Sequence, residues 1–378
     1  MEDYVNNLTK VAATCVTAVL ATAMTACGAA PTAGGSAGTS TSAKPTSKFL
    51  PCIVSDAGGF DDKSFNQLSF EGAKQAATEL GVTLKAVESN STNDFAPNLT
   101  SLASEGCNVI VTVGFALAAA TKDSAKANPN IAYVLIDDAA DGGADGKTFD
   151  GKADQPNIKP ILYNTAEAAF LAGYAAADFS KTGKVGTYGG APYPTVTIFM
   201  DGYKQGVDYY NTKKSKSVKV VGWDGKNGSF TGGFEANEAA TNTAKQIIQQ
   251  DVDVILPVGG PIYQGAITAI QDSGKDITML GVDADLYDTD AKTQKYVLTS
   301  VLKNMKVSTY EAVMAAGKGK VDYTAYVGTL KNNGVGIAGF HNFDGKVSST
   351  LKSELDAVKA GIIDGSIKVT SIDPSMMP

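Results

Sequence analysis

The chain has 378 residues, 43% of them apolar, and 40 glycines, enough to bury a large core divided between two domains and to exclude a disordered or fibrous protein. The formal charge is −7 and all 32 basic residues are lysines. Nucleic acid, usually read by clustered arginines, is therefore not an expected partner.

In chain order, the run VAATCVTAVLATAMTA (Val11 to Ala26) is shorter than the roughly 18 to 20 apolar residues that span a bilayer and close to a signal-peptide core. It ends in MTACG, where Thr25 and Ala26 before Cys27 resemble a bacterial lipobox, so residues 1–26 are expected to be cut away and Cys27 to be acylated. Met24 stands where such boxes carry leucine, and the leading segment has Glu2 and Asp3 against Lys10; an ordinary cleaved signal or a short anchor is the alternative. Residues Gly28 to Lys48 are almost wholly Gly, Ala, Ser, Thr and Pro, too poor in apolar surface to offset their ordering entropy, and read as a flexible tether. The expectation is a body held by a lipid anchor at the outer face of a cell membrane, an oxidising setting.

From Phe49 the chain alternates strand and helix patterns. FLPCIVSD, a helix from Phe65 to Leu80, VTLKAVES, a helix near Pro97 to Glu105, NVIVTVG, a helix near Leu117 to Ala127 and AYVLID make up a first half. ILYN, the helix TAEAAFLAGYAAADF, KVGTYGG, a helix near Thr197 to Tyr210, VKVVGWD, a helix from Phe234 to Gln250, DVILPVGG, a helix from Tyr263 to Ser273 and ITMLGVDAD make up a second. Continuous apolar runs such as VIVTV belong to parallel strands covered on both faces, so the pattern predicts two doubly wound α/β domains. Ligands of such sheets bind beyond the strands' carboxyl ends. Those ends carry Asp56, Gly114 with Phe115, Asp137 with Asp138, Gly189 with Gly190, Gly259 with Gly260, and Asp283 with Asp285.

The stretch DAGGFDDKSFNQ (Asp56 to Gln67) lacks the spacing of a phosphate or dinucleotide loop. No Asp-x-Asp-x-Asp-Gly run supports a metal site, and a single histidine, His341, disfavours zinc and a Ser-His-Asp hydrolase. His341 reads as a packed imidazole at a strand end. Asp61 with Asp137 or Asp283 could serve glycoside hydrolysis, yet the same carboxylates can bind sugar hydroxyls without reacting. Helix N-capping is the alternative for Asp61 and Asp62. Phe60, Phe115 and Phe230 fall at strand ends, where they either plug the sheet rim or stack on a flat ring.

GGFDDKSFNQ, together with NTAEAAFLAGYAAA (Asn164 to Ala177), GVDAD and LTSVLKN (Leu298 to Asn304), resembles the basic membrane protein family, lipoprotein nucleoside-binding components of ABC importers. The resemblance runs from about Phe49 to the C-terminus. It implies a type I periplasmic-binding fold with three crossovers, a nucleoside ligand, an ABC permease as partner, and no cofactor, metal or chemistry. Residues 49–160 with about 286–318 would form the N-terminal domain, and residues 161–285 with about 319–378 the C-terminal one. Phe60 and Phe230 would sandwich the base while Asn66 and Asp137 bond its edge. Asp283 would accept ribose hydroxyls, Lys303 would donate to them, and Gly259 and Gly260 would admit the backbone to the sugar. TGGF after Phe230 and PIYQG after Gly260 depart from the family pattern, making Phe234 and Tyr263 rival pocket residues. A sugar or signal receptor of the same superfamily, or a nucleoside hydrolase, are the alternatives. Cys52 and Cys107 fall on neighbouring strands if the order is 2-1-3, and both a disulfide and two buried thiols remain open.

Overall fold

The structure, a computed structural model, describes residues 49–141 and 152–370. The expected signal segment, Cys27 and the tether lie outside the described residues.

The first lobe begins with β1 (Pro51–Val54), α1 (Phe65–Glu79), β2 (Lys85–Val87), α2 (Phe95–Ser104), β3 (Val109–Val113), α3 (Ala118–Ala127), β4 (Ala132–Ile136) and β5 (Ile158–Tyr163). The second contains α4 (Thr165–Phe179), β6 (Lys184–Gly189), α5 (Pro194–Lys214), β7 (Lys219–Val221), α6 (Glu238–Ile248), β8 (Val254–Val258), α7 (Tyr263–Ser273), β9 (Thr278–Asp283), α8 (Leu286–Thr289) and β10 (Val297–Lys303). The chain then supplies α9 (Met305–Gly317), β11 (Tyr326–Gly328), β12 (Val335–Ile337) and α10 (Leu351–Ile363). Two six-stranded sheets result, ordered β11-β5-β4-β3-β1-β2 and β12-β10-β9-β8-β6-β7. Among the described residues only β12 runs antiparallel, against β10. Every residue of β3, β4 and β8 is buried, as strands with helices on both faces require.

The sheets match strand for strand, but the domain division expected from the sequence needs two corrections. Strand β10 pairs with β9 in the second sheet, and only at Asn304 does the chain return to the first lobe, where α9 packs on α1. Strand β11 pairs with β5 in the first sheet before β12 rejoins the second. Apolar periodicity identifies a strand without saying which sheet it joins. The crossovers β5 to α4, β10 to α9 and β11 to β12 lie side by side: Asn164 N–H bonds the Gly328 carbonyl at 2.8 Å and Asn304 N–H the Gly334 carbonyl at 2.9 Å.

Local chemistry moves three helix ends. Pro194 at the first position of α5 starts it before the expected Thr197, because proline's fixed φ suits a first turn with no acceptor for an amide. Asn237 caps α6 by accepting the Ala240 N–H, so residues 234–237 stay in a loop. Helix α2 starts two residues before the expected Pro97. Helices α4 and α5 touch through backbone, since a Cβ at Gly206 would collide with the Phe170 carbonyl. Cys52, in β1, and Cys107, two residues before β3, form a disulfide.

Candidate functional site

The carboxyl ends of both sheets line one cavity of about 600 Å³. Its charged pole is a buried trio. Asp137 follows β4, Asp283 ends β9 and Lys303 ends β10, each less than one-tenth exposed. The Lys303 ammonium lies 2.6 Å from Asp137 and 3.5 Å from Asp283, and 5.1 to 5.8 Å from the rings of Phe199, Phe65 and Tyr163. Burial alone would lower the Lys303 pKa, but the two carboxylates reverse this and raise it. Burial pushes the Asp283 carboxyl up from 3.8 to about 6, with Lys303 pulling the other way and Asp137 and Asp62 adding repulsion. Asp283 Oδ1, the oxygen that faces the Lys303 ammonium at 3.5 Å, is buried and makes no hydrogen bond. Ser64, of the first lobe, donates to the Val282 carbonyl at 3.1 Å, a second link between the lobes.

The stretch from Asp56 to Gln67 forms the adjoining wall. Asp62 accepts the N–H groups of Ser64, Asn66 and Gln67 at 2.8 to 3.1 Å and thereby caps α1, while Asp61 is exposed. The Asn66 amide donates to Asp56 (2.7 Å) and Asp62 (3.0 Å), and its oxygen accepts from the Asp56 N–H (3.2 Å). Asn66 lines the cavity, yet both of its amide protons are engaged. Burial pushes Asp56 up to about 6, against hydrogen bonds from Gly58 and Asn66 and with repulsion from Asp62.

The expected sandwich of Phe60 and Phe230 is not formed, because neither ring lines the cavity. The Phe60 N–H is drawn to Glu88 (2.6 Å) and its ring lies on Phe70, centroids 4.7 Å apart. Phe230 bridges Gly189 through its backbone and turns its ring edge-on to Trp223. Phe234 takes the wall instead, packed where a Cβ on Gly190 or Gly259 would meet its ring. Phe65, Phe95, Phe115, Tyr193 and Phe199 complete the aromatic lining. Phe115, of the first lobe, touches Tyr193 and Phe234 of the second, with centroids 4.8 and 5.8 Å away. Tyr193 is 48% exposed while facing the cavity, which puts this cluster at the mouth.

Gly259 and Gly260 line the cavity, with φ of +147° and +52°. Tyr263, the first residue of α7, does not; it is buried and donates to Asp290 at 2.8 Å. His341 is packed away from the cavity, stacked on Tyr287 at 4.0 Å and paired with Asp285 at 2.7 Å. Sequence reasoning missed Phe65, Tyr193, Thr195 and Phe199. Pro194 was the available signal for Tyr193 and Thr195, since a helix starting there puts its first turn at the ends of the strands.

A family model described as ABC transporter substrate-binding protein PnrA-like (Bmp) matches residues 50–373. The ABC transporter nucleoside-binding protein BmpA of Lactococcus lactis is 28% identical over 348 residues, 88% of this chain and 92% of its own. An uncharacterized lipoprotein of Pyrococcus abyssi is 31% identical over 312 residues, 80% of this chain and 71% of its own. An ABC transporter solute-binding protein from Aeropyrum pernix superposes with a TM-score of 0.74 at 26% identity, over 86% of this chain and 94% of that one. The two linked α/β lobes are thus a type I periplasmic-binding fold. The chain belongs to the Bmp family of PnrA-like ABC transporter substrate-binding proteins and is a binding protein rather than an enzyme.

Proposed function

We propose that the chain captures a purine nucleoside in the interlobe cavity and delivers it, unchanged, to an ABC permease. The observation that carries this reading is the division of the cavity into a buried charged pole and an aromatic wall. Asp283 Oδ1 accepts a ribose hydroxyl, with Lys303 donating and Asp137 holding the ammonium between the two carboxylates. The rings of Phe65, Phe115 and Phe234 take the base, in the role first expected of Phe60 and Phe230, and Asn66 offers only its carbonyl oxygen to the base edge. Gly259 and Gly260 let backbone approach the sugar. Asp56, Asp62, Asp137 and Asp283 against Lys303 disfavour a phosphate, so nucleosides are taken and nucleotides refused.

The lobes close by bending at the three crossovers, with residues on either side of them as the domain limits. Acylation at Cys27 and a tether to Lys48 would hold the body at the extracytoplasmic face of the membrane, a reading supported by the lipoprotein name of the Pyrococcus relative. Among the described residues no helix is long and apolar enough to cross a membrane. Mass spectrometry of the small molecule that copurifies tests the ligand: a purine nucleoside is expected, and a free sugar contradicts the reading. Labelled-nucleoside uptake by cells lacking the chain tests delivery; it should fall, and unchanged uptake would count against a transport role.

A further inference from the structure

The first turn of α5 opens into the cavity, and Thr195 stands in it. Thr195 is 6% exposed, and its Oγ1 is buried with no hydrogen-bond partner. The carbonyl of Tyr193 takes the amides of Val196 and Thr197, and Pro194 has none; among the described residues no acceptor takes the Thr195 N–H. Thr195, in the first turn of a 21-residue helix, thus stands in the cavity wall with an amide and a buried hydroxyl that find no partner, at the positive end of the helix dipole.

We infer that Thr195 is a further ligand-anchoring residue, which donates to an uncharged hydrogen-bond acceptor on the ligand, a carbonyl oxygen or ring nitrogen of the heterocycle. The inference rests on reading the cavity as the ligand site. The other buried polar side chains of the lining are ill suited to that donation, and Thr92, Tyr193 and Glu235 line it only from exposed positions. Asp56, Asp62, Asp137 and Asp283 accept when ionised, the Lys303 ammonium sits at the charged pole with its remaining donation assigned to the ribose, and both amide protons of Asn66 are engaged. Position also favours the heterocycle. Phe199, four residues on and therefore on the same face of α5, lies 5.1 Å from the Lys303 ammonium, whereas Tyr193 is at the mouth. Thr195 falls between the charged pole and the rim, beside the aromatic wall. A hydroxyl left unpaired in the ligand-free protein and paired in the complex acts on the bound state alone, and so selects ligands carrying the acceptor.

The test compares wild type, Thr195→Val, which keeps shape and removes the hydroxyl, and Thr195→Ser, which keeps it. Calorimetric titrations use inosine, adenosine, D-ribose and L-arabinose, with thermal melting of each ligand-free protein alongside. Thr195→Val should bind nucleoside at least about 10-fold more weakly, and Thr195→Ser should return to within about three-fold of wild type. Melting of ligand-free Thr195→Val should be unchanged or higher, because an unsatisfied buried hydroxyl has been removed; a merely structural role would lower it. Nucleoside affinity in Thr195→Val within about two-fold of wild type would overturn the assignment. If the wild type binds a sugar and no nucleoside, the nucleoside reading fails and the heterocycle-directed role fails with it. Binding of none of the four probes overturns both.

Discussion

Asp137 and Asp283 occupy equivalent places in the two lobes, at the carboxyl ends of β4 and β9, and both have left-handed backbone, φ +69° and +68°. Such a conformation costs a non-glycine residue about 1 kcal/mol, least for Asp and Asn. Here it brings both carboxylates to one ammonium, Lys303, which reaches across from the second lobe to Asp137 of the first. The polar end of the cavity is therefore complete only when the lobes are together.

Sharing one ammonium makes substitutions at the trio unequal. Asp283→Ala leaves Lys303 paired with Asp137 at 2.6 Å, so ligand-free stability should change by less than about 1 kcal/mol while nucleoside affinity falls by about 2 kcal/mol. Free-base affinity should hardly move; equal losses for base and nucleoside would remove Asp283 from the ribose. Lys303→Met instead leaves two buried carboxylates uncompensated and should cost about 3 to 5 kcal/mol in denaturant unfolding.

The carboxyls of Asp56 and Asp283 are both pushed up from 3.8 to about 6, chiefly by burial. A raised carboxyl means that the folded protein binds protons more tightly than the unfolded chain between pH 4 and 6, so stability rises as pH falls. Between pH 7 and pH 5 the ligand-free protein should gain about 1 kcal/mol per group. Nucleoside affinity should decline over the same interval, as Asp283 loses its accepting charge. Melting curves and titrations at both pH values check this; a melting temperature that drops on acidification contradicts it.

The ring cluster at the mouth joins the lobes, through Phe115 on one side and Tyr193 and Phe234 on the other. Tyr193→Ala removes its contact across the lobes to Phe115, worth about 0.5 to 1.5 kcal/mol. Nucleoside dissociation in stopped flow should accelerate by about 10-fold with association nearly unchanged. An unaltered dissociation rate would mean that the cluster does not hold the cleft shut.

The disulfide closes a loop with a sequence separation of 55 and lies wholly within the first lobe. Cys52→Ala with Cys107→Ala should lower stability by about 4 kcal/mol, by the chain-entropy estimate for a loop of that length, without changing nucleoside affinity in the protein that remains folded. Denaturant unfolding checks the first outcome and titration the second.

The strands were legible because parallel strands covered on both faces are apolar throughout, as in VIVTV and AYVLI. Motif order singled out Asp137, Asp283 and Lys303 but paired only Asp283 with Lys303, giving Asp137 to the base edge rather than to the ammonium it meets at 2.6 Å. What periodicity could not supply was partnership. Nothing in the strand at Val297–Lys303 or at Tyr326–Gly328 says which sheet it joins. Ring direction was equally hidden. Phe60 and Phe230 do stand at strand ends, but their rings pack on Phe70 and Trp223, tertiary contacts that periodicity does not show, and neither lines the cavity. Phe234, flagged by the unusual TGGF, became a wall residue because Asn237 rather than Phe234 starts α6.

Calorimetric titration of the purified protein with inosine, hypoxanthine and D-ribose tests the central claim most directly. A cavity with an aromatic wall and a carboxylate pole needs both halves of its ligand, so inosine should bind at one site per chain, and base and sugar each at least about 100-fold more weakly. Ribose binding as tightly as inosine, or no heat with inosine at all, would contradict it.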